Sequence, residues 1–155
     1  IRSELPCDCW FSFSVQEEVG CRGAAGSAYS IAPDYAIALE STTAADLAGV
    51  SEPKTVCCLG KGAVVGFMDK GTIYPKELYR LCHEVGREQN IPVQGKTMVA
   101  GGNNAGVIHK TAGGIKTIAI SAPCRYLHSP FWVVKESDLV AVRDLTRALL
   151  AKLAE

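Results

Sequence analysis

The chain has 155 residues, of which 48% are hydrophobic, so it can build the core of about one domain. Its 16 Lys and Arg residues balance 16 Asp and Glu residues, and this neutrality predicts binding to neither nucleic acid nor an anionic membrane. No apolar run is long enough to span a bilayer. The 7 cysteines are irregularly spaced and mostly in apolar contexts, which favours reduced thiols in a cytoplasmic protein over a disulfide framework or a zinc knuckle.

Apolar strands and helices alternate along the chain. The first residue is Ile1 rather than Met, and residues 1–6 resemble the end of a helix and a loop, which indicates an internal fragment. In chain order, the pattern then predicts a strand at 9–15, a helix around 23–29, a strand at 35–40, a loop at 41–54, and apolar runs at 55–59 and 63–67. It next predicts a helix from Pro75 to about Asn90, a strand at 93–99, a short helix at 105–111, a strand at 116–121, a loop at 123–130 and a helix at 136–153 capped by Ser137.

This alternation indicates an α/β layered fold, with no linker that divides residues 1–155 into separate domains. In open α/β sheets, ligand sites form at the carboxyl ends of the strands. The side chains that stand where predicted strands give way to loops are Glu17, Glu18, Glu40 and His128. We therefore expect them to meet in space.

The adjacent acids Glu17 and Glu18 follow a run of aromatic and β-branched residues and precede a Gly-rich turn. Two carboxylates at the end of a buried strand are costly unless a cation lies beside them, which suggests a metal site. One acid could bind the cation while its neighbour acts as a base. The alternative is an exposed pair at an ordinary turn.

The other candidate residues also have ordinary explanations. Glu40 could be a solvated strand end, and a lone loop histidine such as His128 is more often structural than a ligand. His83 and His109 lie in predicted helices and are interpreted as non-ligands. The Gly101-Gly102 turn has neither the dinucleotide fingerprint nor the P-loop ending, so nucleotide binding is rejected.

Residues 13–24, F-S-V-Q-E-E-V-G-C-R-G-A, resemble a block of the glutamyl aminopeptidase family, dinuclear metallo-aminopeptidases that also carry the label cellulase M or endoglucanase. The resemblance continues in order through P-D and A-I-A-L-E, L-G-K-G, I-P-V-Q, G-G-N-N-A with I-H, and P-C-R-Y-L-H-S-P at residues 123–130. It implies the three-layer α-β-α fold of zinc peptidases. Family members are known for tetrahedral assemblies, so it also implies a homo-oligomer.

By this resemblance, Glu17 would be the general base, and Glu18 and His128 would hold one metal ion. Glu40 would hold a second ion, with zinc, cobalt or manganese as the candidates. The substrate would be a peptide whose free amino terminus is held nearby. The turn formed by Gly101, Gly102, Asn103 and Asn104 would contribute to substrate binding.

Two departures from the family pattern matter. The family's upstream H-x-D histidine, its bridging Asp and its inserted small β domain have no counterpart here, so the chain resembles the C-terminal portion of a catalytic domain truncated on its N-terminal side. Without the bridge we expect weak binding of one ion and no turnover by the isolated chain. In addition, Asn104 stands where the family usually has Asp.

Two other functions compete with the aminopeptidase. The chain could be a non-catalytic assembly piece of such an enzyme. It could also hydrolyse glycans, but the adjacent Glu17 and Glu18 cannot easily flank a sugar at the roughly 5 Å or more that glycosidases need, and aromatic residues make up only 7% of the chain.

Overall fold

The computed structural model describes residues 5–155. The predicted end of a helix at the start of the chain therefore falls largely outside the described residues. Within them, the sheet consists of β1 (Tyr35–Thr43), β2 (Ala63–Val65), β3 (Val93–Gly95) and β4 (Lys116–Cys124), in the order β1-β4-β2-β3. β1 runs parallel to β4 and β2 parallel to β3, whereas β2 and β4 are antiparallel. The sheet is thus mixed, and β1 is one of its edges.

Helices pack on this sheet as two pairs. α2 (Lys76–Glu88) contacts α4 (Glu136–Leu153), while α1 (Arg22–Ile31) contacts the short α3 (Ala105–Ile108). Each pair reaches β4, which is buried along all but its first residue and therefore needs cover on both faces. The predicted α/β fold is confirmed. None of the described helices is long and apolar enough to cross a membrane.

The best predicted helix, α4, has the bounds that its apolar periodicity indicates. Leu145 and Leu149 are fully buried in the main core. The predicted cap is wrong, because Lys135 occupies the N-cap and Ser137 lies within the first turn. The buried Asp138 instead accepts hydrogen bonds from backbone N–H groups of the turn before β2, at 2.7 and 2.9 Å.

The predicted strand at residues 9–15 is wrong. The segment pairs with no strand among the described residues, and its aromatic side chains are largely exposed. Trp10 is 74% exposed and Phe13 is 94% exposed. A strand requires a partner for its backbone groups, and alternation in the sequence cannot supply one.

Strand ends also differ from the prediction around the candidate site. β1 continues three residues past Glu40, and β4 continues three residues past Ser121, because the two strands pair in register from Tyr35 and Lys116 to Thr43 and Cys124. Glu40 is therefore inside a strand, opposite Ser121, rather than at its end. The apolar run at 55–59 forms no strand, and β3 covers only the first part of the predicted 93–99 strand.

Candidate active site

A cavity of about 600 Å³ opens where β1 and β4 meet the loops that follow them. The predicted site residues that line it are Glu17, Glu18, Glu40, Gly101, Gly102, Asn103 and His128. These residues come from four separate segments of the chain. The structure therefore brings the predicted residues together, although their chemical roles remain predictions.

Glu18 and His128 form the closest pair, with 3.3 Å between Glu18 Oε1 and His128 Nε2. Both side chains are more than two-thirds exposed, so a cation could reach them from solvent. Two ligand atoms that share one tetrahedral zinc ion at about 2.0–2.1 Å lie about 3.3 Å apart. The pair therefore fits half of a tetrahedral ligand set.

The loops that carry this pair have unusual backbone conformations. Gln16 and Cys21, on either side of the two acids, have φ values of 60° and 55°, and Tyr126 and His128 have values of 62° and 64°. Left-handed conformations at residues other than glycine are uncommon and concentrate at functional sites. Ala32, Ala45, Asn90 and Ala112 share this conformation away from the cavity, so it does not by itself mark the site.

Glu17 lies in a tight turn beside its neighbour. Its carbonyl oxygen accepts hydrogen bonds from the N–H groups of Gly20 and Cys21 at 3.2 and 2.9 Å, which closes the turn. Its carboxylate Oε1 lies 3.7 Å from the Cys21 thiol. Burial raises the pKa of Cys21, and the negative charge of Glu17 raises it further, so the thiol stays neutral beside the acid.

Glu40 is half-buried, and its carboxylate is held by Asn104. Glu40 Oε1 accepts hydrogen bonds from the Asn104 backbone N–H at 3.4 Å and from Asn104 Nδ2 at 3.2 Å. Burial raises the pKa of Glu40, the backbone hydrogen bond opposes this, and the nearby charge of Glu17 raises the pKa again. The cavity is thus rich in negative charge, and a cation would relieve the repulsion between its acids.

Asp69 was not predicted as a site residue, because D-K-G in the sequence indicates only a turn. It is buried, and its Oδ1 accepts hydrogen bonds from the Gly71 and Thr72 N–H groups at 2.8 Å each. Its Oδ2 accepts a hydrogen bond from the Tyr74 hydroxyl at 2.6 Å. Asn103 Nδ2 donates to the same hydroxyl at 3.0 Å, so this network anchors the turn that forms one wall of the cavity.

The loop that carries His128 is anchored by Arg125. Its Nε and Nη2 donate to Asp46 Oδ1 and Oδ2 at 2.7 and 3.0 Å, and the Leu59 N–H also donates to Asp46. The Arg125 hydrogen bonds hold the pKa of Asp46 below its usual value. Arg125 therefore acts through Asp46 to fix the base of the loop.

The ligand set is incomplete within residues 5–155, where no three His, Cys, Asp or Glu side chains converge on a point that could hold a metal ion. Glu18 and His128 fit a shared ion, whereas Glu40 stands apart with Asn104. The predicted non-ligands lie elsewhere: His83 contacts the Tyr79 ring on α2, and His109 Nε2 lies 3.1 Å from the Gly71 carbonyl oxygen. Of the predicted substrate-binding turn, Asn104 does not line the cavity.

Comparisons with known proteins agree with the resemblance seen in the sequence. A putative aminopeptidase from Acetivibrio thermocellus is 43% identical over 143 residues, covering 92% of this chain and 43% of that protein. An aminopeptidase from the archaeon Desulfurococcus kamchatkensis superposes with a TM-score of 0.87 at 34% identity, covering 90% of this chain and 40% of its own.

The TET1 peptidase of Pyrococcus horikoshii, which can assemble into a tetrahedron or a large octahedral shell, superposes with a TM-score of 0.76 at 33% identity. The match covers 89% of this chain and 39% of that one. The chain thus spans about two-fifths of the length of these relatives. The M42 glutamyl aminopeptidase family model matches residues 1–145, and the chain belongs to this family.

Proposed function

We propose that the chain is part of the catalytic domain of a metal-dependent aminopeptidase, which hydrolyses N-terminal residues from peptides. Residues 1–155 would form the C-terminal portion of that domain. The observation that carries the proposal is the 3.3 Å approach of Glu18 to His128, on a cavity that Glu17 and Glu40 also line. Family membership supports the reaction class.

Glu18 and His128 would hold one divalent cation, and Glu40 would contribute to a second. When bound, the cations would polarise the scissile carbonyl and make water more acidic. Glu17 is the proposed general base: it takes a proton from the attacking water and returns it to the leaving amine. Its place beside Glu18, in a turn closed by backbone hydrogen bonds, supports this division of roles.

The charge of the cavity supports a substrate with a free amino terminus. Glu17, Glu18, Glu40 and Asp69 line it, against Lys96 as the one Lys or Arg among the described lining residues. Such a surplus of negative charge attracts an ammonium group. Gly101, Gly102 and Asn103 form the adjoining wall, and we propose that they contact the peptide.

The remaining details are also proposals. Zinc or cobalt is the proposed native ion, with manganese as an alternative, because carboxylate and imidazole ligands suit all three. A homo-oligomer is supported by the shells that the Pyrococcus horikoshii peptidase forms. A cytoplasmic location is in keeping with 7 free thiols, of which Cys57, Cys82 and Cys124 are buried.

Calorimetric titration of the chain with zinc or cobalt tests the ligand assignment. Because only two donors converge among residues 5–155, we expect one weakly bound ion per chain, and we expect Glu18→Gln or His128→Gln to abolish its binding. Glu52→Gln, at an exposed position in a 3₁₀ turn, is the matched control and should bind as the wild type does. Unchanged binding in the two ligand variants would reject the assignment.

Activity is tested in a version extended to the length of the relatives, assayed on aminoacyl-nitroanilides. Loss of a general base costs typically a hundredfold or more in rate, so Glu17→Gln should lower kcat by about that factor. Glu84→Gln, at an exposed position on α2, should leave the rate unchanged. Undiminished activity of Glu17→Gln would eliminate the base assignment.

The incomplete ligand set favours a second candidate for the isolated chain, an assembly piece without catalysis. Size-exclusion chromatography combined with a metal assay separates the two. An oligomer that binds no zinc or cobalt even when the metal is present in the column buffer would support the assembly piece, whereas one bound ion per chain would support the peptidase.

A further inference from the structure

Asn104 occupies an unusual position beside the proposed metal ligand Glu40. Its side-chain Nδ2 donates to Glu40 Oε1 at 3.2 Å and to Ser14 Oγ at 3.3 Å, while its backbone N–H approaches the same Oε1 at 3.4 Å. Both donors therefore fall on one oxygen of the carboxylate. Glu40 Oε2 accepts no hydrogen bond from the described part of the chain, although Glu40 lines the cavity.

The other polar atom of the Asn104 side chain makes no contact within residues 5–155 that would explain its position. Its Oδ1 is buried without a hydrogen-bond partner among the described residues. An unsatisfied buried oxygen costs free energy, which is tolerated when the remaining atoms of the side chain are needed in place. Here those atoms are the Nδ2 group that contacts Glu40 and Ser14.

We propose that Asn104 is a positioning residue for Glu40: it holds Oε1 through its side-chain and backbone N–H groups and leaves Oε2 as the free donor atom for a cation. The metal part of this inference rests on the proposed function. In this chain the amide donates to Glu40, which an ionised Asp, the usual residue of the family at this position, cannot do. An Asp at this position would bring a second carboxylate to about 3.2 Å from Glu40, and two such like charges repel.

The neighbouring network explains how Asn104 is itself held. Asn103 Oδ1 accepts a hydrogen bond from the Ala105 N–H at 2.8 Å, and Asn103 Nδ2 donates to the Tyr74 hydroxyl at 3.0 Å. Asn104 lies between these anchored residues at the start of α3. Its two donors are therefore fixed before a cation arrives, as expected of outer groups that orient a ligand.

The contact itself is tested without metal, by thermodynamic stability. Asn104→Asp and Glu40→Gln should each lower the urea midpoint. The double variant should regain much of the loss, because the amide introduced at position 40 can donate to the carboxylate introduced at position 104. Asn90→Asp, remote from the cavity at the end of α2, is the control for the chemical change. Additive losses in the double variant would show that the two side chains do not interact and would overturn the proposal.

The positioning role is tested by cobalt titration of a version extended to the length of the relatives, followed by visible absorption and calorimetry. Loss of a group that orients a ligand typically costs about 10- to 100-fold in metal affinity, so we expect a weakening in this range and an altered cobalt spectrum for Asn104→Ala, which removes the side-chain donor without adding a charge. Glu40→Gln should weaken binding as well, since the amide at position 40 lacks the charge of the carboxylate. Wild-type affinity and spectrum in folded Asn104→Ala would reject the positioning role. If the extended wild type binds neither cobalt nor zinc, the ligand role of Glu40 fails, while the stability cycle still decides whether Asn104 holds its carboxylate.

Discussion

Tyr74 links a buried acid to the loop beside the cavity. It is 3% exposed, and its hydroxyl donates to Asp69 and accepts from Asn103. Burial and the hydrogen bond to Asp69 both raise the pKa of Tyr74, so the phenol remains a donor at all physiological pH values. Removal of the hydroxyl would leave Asp69 Oδ2 buried with a weaker set of donors.

We expect Tyr74→Phe to lower the free energy of unfolding by about 1–3 kcal/mol, because it takes a partner from a buried carboxylate. Urea denaturation followed by circular dichroism measures the change. Tyr79→Phe is the matched control: Tyr79 is half-buried on α2, its hydroxyl donates to none of the described residues, and its loss should cost less than about 0.5 kcal/mol. Equal costs in the two variants would contradict the network.

His83 should make the stability depend on pH. Burial lowers its pKa below the usual value of about 6.5, and its Nε2 has no hydrogen-bond partner among the described residues. In the unfolded chain the imidazole binds a proton near pH 6.5, whereas in the folded chain it does so only at lower pH. The full contribution of His83 to stability is therefore present above about pH 6.5 and is lost as the pH falls toward its folded pKa.

The corresponding prediction concerns the slope of stability against pH. His83→Phe should reduce the loss of stability between pH 7 and pH 5, as measured by urea midpoints at each pH. His83→Gln also lacks a titrating group, so it should show the same shallower slope even if its absolute stability differs. A slope as steep as that of the wild type in both variants would show that His83 is not responsible.

At the scale of elements, a helix or strand could be predicted where the residue periodicity of the segment itself indicates it. The apolar periodicity that predicts α4 lies entirely within the 18 residues of that helix. β1 and β4 are short apolar runs between clear turn signals. The segment at 9–15 has an equally good strand pattern but remains unpaired among the described residues. Pairing is a property of two segments, which is why the alternation of one segment could not settle it.

The candidate site also has a part that the sequence predicted and a part that it did not. Glu18 and His128 were predicted to meet, and they do, but only His128 lies after a strand, β4, whereas Glu18 lies in the turn before α1. The roles of Asp69 and Asn104 could not be read from the sequence. A D-K-G turn does not reveal that its carboxylate points inward, and an asparagine in a Gly-rich turn does not reveal which acid it contacts.

The junction between β2 and β3 depends on a close backbone approach. Gly62 has a φ of 89°, and a Cβ atom placed there would lie 2.1 Å from the Pro92 carbonyl oxygen. The adjacent Ala63 N–H donates to this same oxygen at 3.0 Å, and the Gly62 N–H donates to Asp138 at 2.9 Å. A side chain would therefore separate the strands and weaken the link to α4.

We expect Gly62→Ala to lower the free energy of unfolding by about 3 kcal/mol or more, since it combines a left-handed backbone with a steric clash. Gly49→Ala is the matched control, because Gly49 has a similar φ of 87° but no atom within 4 Å of the Cβ position. It should cost only about 1–2 kcal/mol, which is the cost of the left-handed backbone alone. Similar losses for the two variants in urea denaturation would mean that the close approach to Pro92 does not constrain the fold.

At the scale of the whole molecule, a large apolar surface is left uncovered. Among the described residues, β1 pairs with a strand on one side only, and Leu39 on this edge is 56% exposed. The segment at 9–15 adds Trp10, Phe11 and Phe13, each more than two-thirds exposed. Relatives have more than twice the length of this chain.

An isolated chain with an open strand edge and exposed aromatic side chains should self-associate. We expect light scattering after size-exclusion chromatography to show species larger than the 16.5 kDa monomer, increasing with protein concentration. Phe11→Ser combined with Phe13→Ser should shift the population toward monomer while leaving the urea midpoint unchanged, because neither side chain is packed in the core. Phe131→Ser, which removes an equally exposed aromatic from the loop after His128, should leave the population as it was. A wild-type chain that is monomeric at all concentrations would show that this surface does not cause self-association. An equal response to Phe131→Ser would assign the association to exposed aromatic side chains in general rather than to the 9–15 segment.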